Sequence, residues 1–197
     1  MTSKELNNIS KLITSHNIGV IPTDTIYGVA ASAWSKKAVA RAYKIMKRNS
    51  KKPFIILIRS IKDLDKFHVT LDKKTKNILK QIWPGKVSAV LPVKSAKFHY
   101  LHRGTKTLSF RIPKKPSLAK LLKKTGPLIS SSANPEGKKP AQTISEARKY
   151  FGDRVDFYVS GGKMNLLPST LIGIKNGKIS VIRKGAGKIP SGLKNNQ

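Results

Sequence analysis

The chain of 197 residues contains no cysteine, which excludes a disulfide framework, a thiol nucleophile, an iron–sulfur cluster and a cysteine zinc site. Acidic residues are also scarce, with nine Asp and Glu against 40 Lys and Arg. None of the nine lies between Asp72 and Glu136. A glycosidase with paired carboxylates or a two-metal nuclease therefore has little to work with.

The chain also lacks long apolar runs and a leader-like segment. No stretch approaches the ~18 consecutive apolar residues that a membrane helix needs, and residues 1–10 are polar, without the apolar region of a signal peptide. The sequence therefore predicts a cytoplasmic protein with no membrane partner. With 39% hydrophobic residues and no linker-like segment, it predicts one domain over residues 1–197, with a core of about 5–188 and a frayed C-terminal tail.

Glycine-rich nucleotide signatures are missing as well. There is no GxxxxGK[ST] loop and no GxGxxG after the first predicted strand, which excludes Walker and Rossmann sites. The four histidines show no metal-binding spacing, and we predict no metal site built from protein ligands. Any nucleotide must be held in a less common way.

The net charge of +31 is the strongest compositional feature. It leaves two alternatives open: a surface that binds nucleic acid, or a general lysine enrichment that coats the fold with solvated cations. Lysines are spread along the whole chain, which favours the second alternative for most of them. Charge by itself assigns no function.

Helix and strand patterns alternate along the chain. Helical spacing of apolar residues, with capping patterns at Thr2 and Thr143, predicts helices at residues 3–13, 38–46, 61–67, 73–82, 117–122 and 143–150. Apolar runs predict strands at residues 19–21, 54–58, 87–93, 108–112, 128–131, 155–159, 170–174 and 178–183. The last two strands are joined across Asn176 and Gly177, a strong hairpin signal. Helical crossovers imply parallel pairs and the hairpin an antiparallel one, so the pattern predicts an α/β domain with a mixed sheet.

Polar clusters follow several of these strands. In open α/β sheets, ligands bind beyond the carboxyl ends of strands, and four clusters qualify, at residues 22–28, 44–53, 130–134 and 183–185. Each alone has an ordinary explanation as a turn, a solvated helix end, a cap or a basic loop. Together, their hydroxyl, amide and guanidinium groups indicate a site for a polyphosphate.

Seven ordered segments carry a resemblance to a known family. They are residues 22–28 (PTDTIYG), Arg48 with Pro53, residues 83–85 (WPG), 111–113 (RIP), 128–134 (LISSSAN), 168–170 (PST) and 183–185 (RKG). In order and spacing, they resemble the short, single-domain YrdC-type threonylcarbamoyl-AMP synthases over roughly residues 5–188. The resemblance implies a YrdC-like α/β fold: a twisted mixed, mostly parallel sheet with flanking helices and a basic concave cleft.

The resemblance also implies an activity and its partners. Such enzymes join L-threonine, bicarbonate and ATP into threonylcarbamoyl-AMP and pyrophosphate, and the product serves the modification of tRNA to threonylcarbamoyladenosine. Mg²⁺ is expected to be held mainly through phosphates. Further expected partners are the proteins that transfer the threonylcarbamoyl group to tRNA and, through the basic surface, tRNA or other RNA. Catalysis of this kind depends on positioning and on stabilising phosphoryl charge, and paired carboxylates are unnecessary.

The resemblance implies site residues position by position. It implies that threonine is bound by Thr25, Tyr27, Arg111 and Ser132. It implies that ATP and its phosphates are bound by Lys47, Arg48, Ser88, Asn134 and Arg183. Supporting roles are implied for Asp24, Lys44, Ser169 and Thr170.

The chain departs from the family pattern at two positions. Met46 stands where the family has the lysine of a KxR motif, and our hypothesis is that Lys44 or Lys47 supplies the missing charge. Lys115 replaces a histidine that is common in the stretch after Arg111, and we interpret it as a tolerated surface change.

Two rival functions stay open. A non-catalytic protein of RNA binding or RNA maturation, using the same basic cleft, explains the charge directly, although aromatic residues for base stacking are few, at 7%. A carbamoyltransferase accessory domain has the same fold, but it occurs within much longer hydrogenase-maturation proteins that carry zinc-finger cysteines. ATP turnover that depends on threonine favours the synthase, and salt-dependent RNA binding without turnover favours the RNA-binding protein.

Overall fold

A computed structural model describes residues 2–193, and the end of the predicted tail, residues 194–197, lies outside the described residues. The α-helices are α1 (Ser3–Thr14), α2 (Lys36–Ile45), α3 (Lys73–Ile82), α4 (His99–His102), α5 (Pro116–Thr125) and α6 (Ile144–Phe151). The strands are β1 (Gly19–Pro22), β2 (Tyr27–Ser32), β3 (Ile55–Leu57), β4 (Val87–Pro92), β5 (Thr107–Arg111), β6 (Leu128–Ser132), β7 (Phe157–Tyr158), β8 (Thr170–Lys175) and β9 (Lys178–Arg183). In this described part of the chain, no helix is long and apolar enough to cross a bilayer.

The nine strands form one mixed sheet in the order β7-β1-β2-β6-β3-β5-β4-β8-β9. The predicted α/β fold with a mixed sheet and flanking helices is confirmed. The prediction that the sheet is mostly parallel is wrong for the described residues, because three strand pairs are parallel and five are antiparallel. A short turn joins β1 to β2, and β6 lies antiparallel between β2 and β3. Strands that are neighbours in the sheet are often distant in the sequence, so the presence of a helix between two consecutive strands did not predict whether strand pairs are parallel or antiparallel.

Helices cover both faces of the sheet. On one face, α1 and α5 place Leu6, Ile13 and Leu121 against strand residues such as Leu57 and Leu128. On the other face, α2, α3 and α6 contribute to the larger apolar cluster. Adjacent strand residues alternate between the two clusters, as the pleat requires. β1 and β2 are consequently buried along their whole length.

Local sequence signals decide most element boundaries. At α1, the Thr2 hydroxyl accepts a hydrogen bond from the Glu5 amide (3.2 Å), and the Glu5 carboxylate accepts one from the Thr2 amide (2.7 Å), which confirms the predicted capping box. Asn176 and Gly177 both have positive φ, 53° and 75°, as a two-residue hairpin turn requires. Residues 61–67 form a 3₁₀-helix in place of an α-helix.

One strand of the sheet has no counterpart among the strands that the sequence predicts. The segment that becomes β2 is rich in glycine and alanine, which have a low strand propensity. β2 lies between β1 and β6, where there is little space for larger side chains. A Cβ atom at Gly28 would lie 2.9 Å from the Ser130 hydroxyl.

Candidate functional site

One cleft with about 720 Å³ of empty space gathers polar side chains from across the chain. Its floor includes Ser130, Ile55 and Ser109, which lie in register on the neighbouring strands β6, β3 and β5. Three arginines, Arg48, Arg111 and Arg183, also line it. The cleft therefore lies on a face of the sheet, and not only beyond the strand ends where the sequence pattern placed ligands.

The structure brings about half of the predicted site residues into the cleft wall. Those that line the cleft are Thr25, Tyr27, Arg48, Arg111, Ser132, Ser169 and Arg183. Those outside its lining are Asp24, Lys44, Lys47, Ser88, Asn134 and Thr170. Sequence reasoning did not assign site roles to several lining residues, among them Thr23, Ser109, Ser130 and Ser131. Thr23, Ser130 and Ser131 lie in motifs that the sequence does mark, whereas Ser109 lies inside a strand and carries no local signal.

Thr23 shapes the turn between β1 and β2. Its hydroxyl accepts hydrogen bonds from the amides of Thr25 (3.1 Å) and Ile26 (3.2 Å) and donates one to the Ile26 carbonyl (2.7 Å). It also lies 3.0 Å from the Thr25 hydroxyl. A threonine side chain that bonds its own turn is a common turn-forming device. Here it fixes the Thr25 hydroxyl in the cleft wall.

Asp24 and Arg111 form a buried ion pair behind this turn. Their charged atoms are 3.0 Å apart, and each side chain is only 4% exposed. Burial lowers the pKa of Arg111, although Asp24 acts to raise it, and the charge of Arg183 lowers it further. Arg111 also points a guanidinium nitrogen at the Thr25 hydroxyl at 3.4 Å, and its Nε atom is buried without a hydrogen-bond partner among the described residues. Asp24 thus orients Arg111 from outside the cleft, and Arg111 retains a free donor.

Arg48 is held by backbone carbonyls. Its Nε donates to the carbonyl of Lys52 (2.8 Å) and a terminal nitrogen donates to that of Pro53 (3.0 Å). Another terminal nitrogen donates to the Ser131 hydroxyl at 3.3 Å, and the guanidinium lies over the Phe54 ring at 5.0 Å. Burial lowers the pKa of Arg48. Its charge is consequently fixed in place without a direct carboxylate partner in the described part of the chain.

Arg183 approaches the same space from the end of β9. It donates to the carbonyl of Ser169 at 2.8 Å. Burial lowers its pKa, and the charge of Arg48 adds to that effect. Three guanidinium groups thus converge on one cleft with Asp24 as the carboxylate paired to one of them. Such uncompensated, partly desolvated positive charge favours the binding of an anion.

Other predicted residues support the cleft wall from behind. Ser88 is fully buried, and its hydroxyl lies 2.9 Å from that of Ser169, so it reaches the cleft only through Ser169. The Thr170 hydroxyl donates to the Gly187 carbonyl (2.7 Å) and accepts from the amides of Gly185 and Gly187 (3.1 Å each). This arrangement joins the start of β8 to the segment after β9.

Asn134 braces the segment that follows β6. Its side-chain amide donates to the carbonyls of Pro135 (2.9 Å) and Lys138 (2.7 Å). Its Oδ1 atom is buried without a partner in residues 2–193. The Asn134 Oδ1 atom is therefore shielded from solvent, and Asn134 lies outside the cleft lining.

Met46 and its neighbouring lysines, Lys44 and Lys47, do not line the cleft. Met46 is 2% exposed and packs in the apolar core. Lys44 and Lys47 are exposed and outside the cleft lining. The hypothesis that one of them replaces a missing phosphate contact gains no support from this geometry.

Lys115 is not the surface change that its sequence context suggested. It is half-buried, and its ammonium donates to the carbonyls of Pro22 (3.2 Å) and Thr23 (3.0 Å). Burial lowers the pKa of Lys115, and the nearby Asp24 acts to raise it. Lys115 therefore holds the end of β1 where the Thr23 turn begins.

The comparisons with known proteins agree on one family. The family model Sua5/YciO/YrdC, described as "Telomere recombination", matches residues 11–185. A putative threonylcarbamoyl-AMP synthase of Methanocaldococcus jannaschii is 32% identical over 183 residues, which cover 92% of this chain and 86% of the relative. The threonylcarbamoyl-AMP synthase of Coxiella burnetii strain RSA 493 is 30% identical over 161 residues, which cover 81% of this chain and 86% of the relative.

Solved structures show the same fold. P. abyssi Sua5 complexed with L-threonine superposes with a TM-score of 0.87 at 24% identity, and the match covers 94% of this chain and 55% of that one. The present chain thus spans about half the length of that protein. E. coli YciO gives a TM-score of 0.85 at 22% identity, covering 95% and 92%. Since the family model extends over most of its length, the chain belongs to the Sua5/YciO/YrdC family.

Proposed function

We propose that this chain is a threonylcarbamoyl-AMP synthase that joins L-threonine, bicarbonate and ATP and releases pyrophosphate. The observation that carries the proposal is the convergence of three arginines with threonine and serine hydroxyls in one cleft. Two relatives with at least 30% identity bear this activity in their names. P. abyssi Sua5, which has the same fold, is complexed with L-threonine in its crystal structure, and this supports threonine as the amino acid.

The reaction divides into two steps that make few acid–base demands on the protein. The threonine amine attacks the carbon of bicarbonate, and water and a carbamate result. A carbamate oxygen then attacks the α-phosphorus of ATP, the bond to the β-phosphate oxygen breaks, and pyrophosphate leaves with its electrons. Both partners of the second step are anions, so the protein contributes by alignment and by positive charge.

The cleft residues divide between the two substrates. We assign the threonine side to Thr25, Tyr27, Arg111 and Ser132, with the Arg111 guanidinium as the partner of the threonine carboxylate. The Tyr27 hydroxyl donates to the Gly162 carbonyl (2.7 Å) and accepts from the Gly161 amide (2.8 Å), so its ring is a fixed wall of the pocket. We assign the phosphates to Arg48 and Arg183.

The residues outside the lining have supporting roles in this scheme. Asp24, Ser88 and Thr170 hold the groups that contact substrate, and Asn134 braces the segment that follows the serine-rich strand. Lys44 and Lys47 act at most through their charge, because both lie outside the cleft wall.

Magnesium would be bound chiefly by the substrate. No group of three or more His, Asp or Glu side chains within residues 2–193 could hold a metal ion, and the Asp24 carboxylate in the first motif is paired with Arg111. Mg²⁺ prefers phosphate oxygens and water when protein carboxylates are few. When bound there, it supplies charge neutralisation to the triphosphate. The product then passes, in the cytoplasm, to proteins that transfer it to tRNA.

The test is pyrophosphate release by the purified chain with ATP, Mg²⁺, bicarbonate and each amino acid in turn. We expect threonine to stimulate release and the other amino acids to do so weakly, with serine as the closest control. Mass spectrometry should detect threonylcarbamoyl-AMP in the threonine reaction alone. Equal release with every amino acid, or none with threonine, would contradict the proposal.

The net charge of +31 favours RNA binding as a second candidate. Binding of unmodified tRNA, measured between 50 and 300 mM salt, separates the two functions. A steep salt dependence indicates phosphate contacts. Tight RNA binding without threonine-dependent turnover would contradict the synthase function and favour an RNA-binding function.

A further inference from the structure

An exposed glutamate outside the cleft links two of the segments that build it. Glu136 lies in the segment after β6, two residues beyond Asn134, and its amide donates to the Met46 carbonyl at the end of α2 (3.0 Å). Its carboxylate accepts hydrogen bonds from the Asn49 amide and from the Lys52 ammonium. Glu136 therefore ties the serine-rich segment to the turn formed by residues 49–52.

The 49–52 turn is a compact unit that carries an acceptor for Arg48. The Lys52 amide donates to the Asn49 carbonyl (3.0 Å), and the Lys51 amide donates to the Asn49 side chain (2.8 Å). The Lys52 carbonyl in turn accepts from Arg48 Nε at 2.8 Å. A displacement of this turn would therefore move the Arg48 guanidinium.

The charges around the 49–52 turn make the carboxylate necessary. Lys51 and Lys52 lie in the turn, while Lys138 and Lys139 follow Glu136 in the facing segment. Without the glutamate, these two segments carry four lysines and no carboxylate, and repulsion among the four charges favours separation of the segments. The hydrogen bond from Lys52 lowers the pKa of Glu136, and that from the Asn49 amide lowers it further. Both hydrogen bonds therefore favour the ionised carboxylate.

We infer that Glu136 is a positioning residue for Arg48, acting through the 49–52 turn to aim the guanidinium into the cleft. The inference deepens the proposed function and rests on it, since the phosphates of ATP are what Arg48 would bind. The substitutions that test it are Glu136→Ala and Glu136→Gln. Glu146→Ala is the matched control, because Glu146 is also an exposed glutamate that accepts a backbone amide, that of Gln142 at 2.9 Å, but it lies on α6 and not on the 49–52 turn.

The first readout separates the two substrates. We expect Glu136→Ala to raise the KM for ATP about tenfold, the size of one charged hydrogen bond, and to leave the KM for threonine unchanged. Glu136→Gln keeps one acceptor and loses the charge, so its effect should be intermediate. Glu146→Ala should leave both constants as in the wild type. An equal rise in both constants, or an unchanged KM for ATP, would overturn the inference.

The second readout does not depend on catalysis. In the wild type, the Arg48 Nε–H group should give a slowly exchanging nuclear magnetic resonance signal, and in Glu136→Ala this signal should broaden or exchange rapidly. An Arg48 signal that is the same in both proteins would reject the positioning role. If the wild type releases no pyrophosphate with threonine, the proposed function fails, yet the Arg48 signal still decides the role of Glu136.

Discussion

Half-buried Arg48 and the more exposed Arg183 are two cations whose charges repel each other across the cleft. Burial lowers the pKa of both, and the charge of Arg48 lowers that of Arg183 further. Their donors go to backbone carbonyls and a serine hydroxyl, which supply no negative charge. A bound triphosphate would remove this repulsion. Binding energy is thus available at the place where phosphoryl charge develops.

Substitution of Arg48 tests this electrostatic role. We expect Arg48→Ala to lower kcat/KM for ATP on the order of 100-fold, as for loss of one aligned charged donor, and Arg48→Lys to recover only part of the loss because it lacks the guanidinium fork. The control is Arg59→Ala, which removes an exposed arginine outside the cleft. Steady-state kinetics of pyrophosphate release provide the measurement. Activity in Arg48→Ala equal to that of the control would exclude a phosphate contact.

The buried Asp24–Arg111 ion pair contributes to the stability of the fold as well as to the binding site. Both side chains are 4% exposed, and removal of one partner leaves a buried charge uncompensated. We expect Asp24→Asn to lower the free energy of unfolding by about 3–5 kcal/mol, measured by urea denaturation. Asp153→Asn, at an exposed position, should change it little. A small effect at Asp24 would mean that Arg111 finds another partner.

At the scale of elements, the crossing of two loops positions Arg183. The segment before β8 and the segment after β9 are in close contact: a Cβ atom at Gly185 would lie 2.2 Å from the Pro168 carbonyl oxygen. The Thr170 hydroxyl binds the amides of Gly185 and Gly187 in the same crossing. Position 185 therefore requires glycine because a Cβ atom would clash with the Pro168 carbonyl, and not because of a positive φ.

Gly185→Ala should force the two loops apart. We expect a lower melting temperature together with a lower kcat/KM for ATP, since Arg183 is two residues away and donates to Ser169 across the crossing. The control is Gly192→Ala, where a Cβ atom meets open space. Thermal unfolding and steady-state kinetics provide the measurements. Wild-type behaviour of Gly185→Ala would show that the loops can separate without cost to the cleft.

Elements differ in how far the sequence predicts them. α3 has the predicted bounds, and α1 has the predicted capping box, because helical spacing and caps involve residues at most four positions apart. The predicted strand at 155–159 shortens to β7, and β2 carries no alternating pattern at all. Strand formation depends on a partner that is remote in sequence, so its local signal is weaker.

At the scale of the whole molecule, seven of the nine acidic side chains accept a hydrogen bond or form an ion pair in a strongly cationic chain. Hydrogen bonds from the Thr75 hydroxyl and amide lower the pKa of Asp72. Burial acts to raise the pKa of Asp156, but hydrogen bonds from Arg41 and from the Ile18 amide lower it overall. A carboxylate whose pKa is lower in the folded state stabilises the fold above its unfolded pKa of about 3.9. That stabilisation is lost as the pH falls through the folded pKa.

We therefore expect the free energy of unfolding to be insensitive to these carboxylates above about pH 5 and to fall steeply below about pH 4. Urea denaturation at a series of pH values tests this, with Asp156→Asn as the comparison. That variant should already lack its share of the stability at pH 7 and show a shallower acid loss. A stability that rises on acidification would contradict the assignment of these carboxylates as stabilising partners.

The sequence by itself determined the longer α-helices, the hairpin, the mixed α/β class and the motifs that resemble one family, because each of these depends on residues close together in the chain or on their order. Only the tertiary structure decided which side chains face the cleft. It placed Ser88 behind Ser169, packed Met46 into the core and brought Ser109 to the cleft floor. It also made most strand pairs antiparallel. The physical reason is that burial, register and the charges around a group are set by contacts between residues tens of positions apart, and no local pattern records them.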